Sequence, residues 1–92
     1  MSLVFEPDRV AYDPTQQALR IFARDDFRLV YCAVSRAALA ALEDDALGGI
    51  HAMATTYRRH KERIRGLALR KYLARRYENG AMIIIRKHDL LP

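Results

Sequence analysis

The chain has 92 residues, 51% of them hydrophobic and 29% charged, with a formal net charge of +5 and a single cysteine. That length fits one domain, residues 1–92, with a continuous core, and the composition excludes a disordered tail, an internal disulfide framework and a Cys-rich zinc site. The first residues lack the basic start of a secretory leader, and the longest aliphatic run, 81–85, is far below the ~20 residues that span a bilayer, so the expectation is a soluble cytoplasmic protein without membrane contact.

Residues 9–12 predict a short strand, followed by Asp13-Pro14-Thr15-Gln16, a type I turn with proline pre-set at its second position. Residues 19–23 and 27–34 are rich in Ile, Phe, Val and Tyr and predict a hairpin about Asp25-Asp26. A two-residue loop there sets Phe22 opposite Leu29 and Ile21 opposite Val30. Asp-Asp is a weaker turn signal than Asp-Gly, so a longer loop with a shifted register stays open. Ser35 is a good N-cap for a helix over 36–42, which Glu43-Asp44-Asp45 terminates because the helix dipole disfavours acids there. Gly48-Gly49 precedes a long helix over 50–78, Asn79-Gly80 supplies its left-handed stop, and residues 82–86 return as a strand. The fold class is α+β: a small antiparallel sheet, order β-β-β-α-α-β, with two helices packed on one face, the second long and basic.

"LRIFARDDFRLVYCAVS", "YRRHKERIRGLALRKY" and "NGAMIIIRKHDL" follow one another here in an order that resembles a small bacterial family, domain of unknown function 1488. The likeness runs from about Val10 to Leu90 and is carried by hydrophobic spacing plus Cys32, Ser35, Ile64, Ala68 and Asp89. The chain departs from it at Asp26, where glycine is expected. The resemblance implies an α+β fold of this order and brings no activity and no catalytic residues.

Charge is concentrated in one element. Residues 58–76 hold nine of the sixteen Lys and Arg and one acid, Glu62. At about 100° per residue, Ile50, Met53, Ala54, Tyr57, Ile64, Ala68 and Tyr72 share one broad face, the core stripe. Arg59, Arg63 and Arg70 line one flank, and Arg58, Arg65 and Arg76 the other. These six are the candidate contacts for a polyanion or an acidic partner. A solvated face is the plain alternative, as is neutralisation within the chain by Glu43-Asp44-Asp45. An acidic protein and a nucleic acid both fit, although no helix-turn-helix, zinc-finger or RNP-type pattern is present.

In the hairpin, Leu19, Ile21, Val30, Cys32 and Val34 make the cleaner apolar face, for the helices. Phe22, Phe27, Leu29 and Tyr31 lie on the other beside Arg20 and Arg24, and are the candidates for self-association into a homo-oligomer. Cover by the first ten residues and Leu90-Leu91 is one alternative, and a stacking platform for single-stranded nucleic acid is another.

No reaction centre emerges. His51, His60 and His88 lack the i, i+4 spacing of paired metal ligands. No helix N-terminus or local base marks Cys32 as activated, and the paired acids fall in loops. No cofactor, metal or small-molecule ligand is expected. The sequence reads as a non-enzymatic, self-associating protein offering a basic helix to an acidic macromolecule. A nucleic-acid-binding module is the alternative and a small enzyme the third reading.

Overall fold

The computed structural model describes residues 3–43 and 48–91, the Asp8 side chain excepted. Three strands, β1 (Val4–Asp13), β2 (Ala18–Asp25) and β3 (Arg28–Ser35), precede two helices, α1 (Arg36–Glu43) and α2 (Ile50–Leu73). A short strand, β4 (Ile83–Ile85), and a 3-10 turn, Lys87–Leu90, follow. Class and element order are those expected. The sheet, in the order β1-β2-β3-β4, is mixed rather than wholly antiparallel, because β4 joins β3 in parallel. A helical connection returns the chain to the end where β3 starts, which is how parallel neighbours are joined.

The hairpin turns at Asp26-Phe27 and closes on the pair Asp25–Arg28. Asp26 takes the left-handed φ of 55°, which Asp tolerates better than most residues. Phe22 therefore faces Tyr31 and Ile21 faces Cys32, a shift of two from the two-residue loop at Asp25-Asp26. A side-chain period of two means that such a shift leaves both faces as read. At the other edge β1 is longer than predicted, with an irregular register between Phe5 and Val10. Pro7 lies in that interval, where its missing N–H interrupts no inner ladder.

α2 carries a kink at His60 (φ −115°, ψ 17°) and ends at Leu73 rather than at residue 78. Arg75 adopts φ 56°. The Arg75 N–H donates to the Tyr72 carbonyl at 3.1 Å and the Arg76 N–H to the Lys71 carbonyl at 2.9 Å, the paired bonds of a Schellman closure. Asn79-Gly80 instead forms a small loop across which Glu78 and Met82 exchange backbone hydrogen bonds.

The main core lies between the sheet and the helices. Leu19, Ile21, Cys32, Val34, Ile83 and Ile85 from the sheet meet Leu39, Met53, Tyr57, Ile64, Ala68 and Tyr72 from the helices. The expected core stripe of α2 is buried except for Ile50, which is exposed. Leu3, Phe5, Val10 and Leu90 also pack on this side, while Arg9 reaches over Phe22 to the opposite face. There, Ala18, Ala33 and Ile84 form a second buried cluster, with Tyr31 and Met82 against it. All three isoleucines of β4 are thus buried, on alternating sides.

Candidate functional site

Seven cations on α2 and two just past its end would repel one another if all faced water together, and the fold ties four of them to partners within the chain. Arg59 reaches back to Glu43 at the end of α1, 3.0 Å away, giving that acid the counter-charge the helix dipole denies it. Asp44 and Asp45, the rest of that acidic run, lie outside the described residues. Arg63 donates to the Leu90 carbonyl at 2.7 Å. Arg65 folds inward, donating to the Tyr57 hydroxyl at 3.0 Å with its guanidinium 5.3 Å from the Phe5 ring centre. Lys71 also turns in, bonding Asp89 at 2.6 Å and the Ile84 carbonyl at 2.8 Å.

The predicted flanks are therefore not continuous. Arg59, Arg63 and Arg65 are committed within the chain. Arg58 and Arg70 are exposed on α2 and Arg76 lies just past its end; with Lys61 and Arg75 they meet no hydrogen-bond or ion-pair partner among the described residues. Glu62 pairs with neither Arg58 nor Arg65.

Two of these cations, Arg70 and Arg76, border a feature the sequence did not reveal. The final turn lies along the second half of α2 and leaves two adjoining grooves that share Leu67, Arg70 and Asp89. One, of ≈ 530 Å³, is lined by Arg63, Leu90 and Leu91 among others. Its neighbour, of ≈ 400 Å³, includes Lys71, Ala74, Arg76 and His88. Asp89 holds the wall in place by accepting the Arg86 N–H at 2.7 Å as well as Lys71. Burial works against that carboxylate's charge, but Lys71 and the Arg86 N–H outweigh it and hold the carboxyl below its ordinary range. Lys71 stands three positions after Ala68, and nothing near it in sequence marks its partner. The part of the chain that would answer it lies beyond β4.

The hairpin candidates also separate. The guanidiniums of Arg9 and Arg20 lie 4.1 and 4.6 Å from the Phe22 ring centre, and Arg20 is 4.9 Å from that of Tyr31. These are cation–π distances. Tyr31 donates its hydroxyl to Asp13; burial first, then that bond, pushes the phenol up to about 12. Phe22 and Tyr31 are thus half-buried under their own neighbours, while Phe27 and Leu29 stand exposed.

Cys32 is fully buried, and burial pushes its thiol up to about 12. His60 lies 3.9 Å from Glu43 and His88 3.5 Å from Asp89. Among the described residues no group of three or more His, Cys, Asp or Glu is placed to hold a metal ion, and no helix is long and apolar enough to cross a membrane.

The family described as Protein of unknown function (DUF1488) matches residues 3–85. The chain belongs to the DUF1488 family. A crystal structure of a protein of unknown function from the same family, from Shewanella loihica PV-4, is similar with a TM-score of 0.84. It is 13% identical, and the likeness covers 91% of each chain. At that identity the likeness concerns the fold. No curated protein matches. Of the residues that carried the DUF1488 resemblance, Cys32, Ile64 and Ala68 are core residues, and the Ser35 hydroxyl accepts the Ala38 N–H at 3.1 Å as the cap of α1. Asp89 lies beyond the matched span and anchors the final turn.

Proposed function

We propose that the protein is a non-enzymatic binding protein that self-associates and offers α2 from Arg58 to its end, with the grooves beside its second half, to an acidic macromolecule. The observation that carries this reading is the set of unpartnered cations, Arg58, Lys61, Arg70, Arg75 and Arg76, left after four others are bonded within the chain. Such a cluster attracts negative charge without specifying it. The grooves add apolar walls, Leu67, Leu90 and Leu91. These favour an acidic protein segment carrying apolar side chains, because a phosphate backbone has no use for them. Self-association is supported by the exposed Phe27 and Leu29 at the hairpin. A binding role rather than catalysis is supported by Cys32, whose thiol is sealed in the core and held protonated.

Fluorescence anisotropy with a labelled acidic, leucine-containing peptide tests the partner, at salt between about 50 and 200 mM, where released counterions make charge-driven binding fall. Binding should weaken with salt and be lost when Arg58, Arg70 and Arg76 are all replaced by Gln. Equal binding by that triple variant, or none at the low-salt end, sinks the reading. Tighter binding to duplex DNA, with a log–log salt slope near about −3 for three phosphate contacts, would reassign the surface to nucleic acid.

A further inference from the structure

An acidic, leucine-containing segment already lies along the basic helix, and it belongs to the chain itself. Asp89 bonds Lys71 at 2.6 Å, and the Leu90 carbonyl accepts from Arg63 at 2.7 Å. The Leu90 side chain packs against the main core, and Leu91 stands exposed at the rim of the groove that both leucines line. These are the contacts that an acidic partner with apolar side chains would seek. The hold on this segment is slight. No residue of the turn Lys87–Leu90 is fully buried, and Lys87 and His88 are exposed, so Asp89 and Leu90 keep it down. Arg86, just before it, is tied separately, its guanidinium donating to the Glu78 carboxylate at 3.1 and 2.7 Å.

We propose that residues 87–91 are an autoinhibitory strap, released from α2 about Arg86 when an acidic, leucine-containing segment takes over its contacts. The strap rests on the acidic-partner reading above and fixes which contacts that partner makes. The exchange leaves no buried charge alone, the outcome that would oppose it most. An incoming carboxylate takes Lys71, whose ammonium keeps the Ile84 carbonyl at 2.8 Å. An incoming backbone carbonyl takes Arg63, an incoming leucine fills the place of Leu90, and the Arg86 N–H that Asp89 now caps passes to water. Charge favours the newcomer. The strap brings His88 beside Arg70, Lys71 and Arg76, and Lys87 offsets the charge of Asp89, so the strap removes none of the basic excess. A segment with several acids answers Arg70 and Arg76 as well as Lys71. Because Arg86 stays on Glu78, β4 keeps its place when the strap leaves.

Two measurements with the labelled acidic, leucine-containing peptide test the strap on the full chain. In the wild type, heteronuclear NOE values at residues 87–91 should fall to those of a free tail when the peptide is added, while those of β4 stay high. Asp89→Asn, which loosens the strap and leaves Lys71 in place, should bind the peptide about tenfold more tightly, because apparent affinity follows the fraction of molecules with the strap off. The wild-type spectra decide the matter without recourse to the variant, whose fold is checked by its thermal melt. A strap that stays ordered in the complex, or equal or weaker binding by folded Asp89→Asn, overturns the displacement and leaves the acidic-partner reading standing. Absence of binding by wild type and variant alike overturns both.

Discussion

Lys71 Nζ lies 2.6 Å from Asp89 Oδ2 and 2.8 Å from the Ile84 carbonyl oxygen, so one ammonium ties α2 to β4 and to the final turn. Both side chains are largely buried, at 13% and 12% exposure. Lys71→Met would strand the carboxylate without its counter-charge. The expected cost is about 2–3 kcal/mol, somewhat below that of breaking a fully buried pair, read as a lower urea midpoint at neutral pH. The Asp89 carboxyl is held below its ordinary 3.8. Its contribution is therefore complete above that value and lost as pH falls through the depressed one. Asp89→Asn should flatten this acid limb of the stability profile, and an unaltered limb would mean that other carboxylates dominate it.

Ile64 is fully buried where α2 crosses the sheet, in one cluster with Tyr57 and Ala68. Ile64→Ala removes three buried carbons and leaves a cavity, costing about 2–4 kcal/mol. That is a large share of a small domain's margin. Chemical denaturation checks it, and an unchanged midpoint would show that the helix face is free to repack.

The Tyr31–Asp13 bond is visible to a titration. The Tyr31 phenol should ionise at about 12, against the ordinary 10.0. A raised value contributes stability below pH 10, lost as pH rises through about 12. In Asp13→Asn the bond to a carboxylate and its charge are both gone, and phenolate absorbance at this residue should appear at lower pH. Tyr31→Phe identifies the signal among the five tyrosines.

Arg75 closes α2 in the left-handed region, φ 56°, where an L side chain costs about 1–2 kcal/mol. Arg75→Gly relieves that strain but gives the unfolded chain more freedom, about 0.5–1 kcal/mol. A net gain of up to about 1 kcal/mol is expected from the difference. A lowered melting temperature would show that the Arg75 side chain supports the closure.

The sequence was informative where pattern depends on period and poor where it depends on geometry. Strand faces were legible because period two survives a register shift of two, so the displaced turn at Asp26-Phe27 moved no residue between faces. The core stripe of α2 was legible for the same reason, despite the kink at His60. Three consecutive isoleucines in β4 carry no alternation, so they show burial on both sides and say nothing of direction. The cations were the least legible. Their spacing predicts which flank each occupies, but not that Arg65 would turn back over Phe5 or that Lys71 would find a carboxylate eighteen residues on.

The parallel entry of β4 also sets an order of events. β1, β2 and β3 join neighbours in sequence, whereas pairing Cys32 with Ile83 closes a loop containing both helices, at a higher entropic cost and correspondingly late. Ile84→Val should then speed unfolding and barely touch the refolding rate, while Val30→Ala should slow refolding, as stopped-flow chevrons would reveal. Until β4 docks, the far side of Cys32, Ala33 and Val34 is a bare strand edge. Refolding yield should therefore fall with protein concentration, through capture of that edge by other unfinished chains.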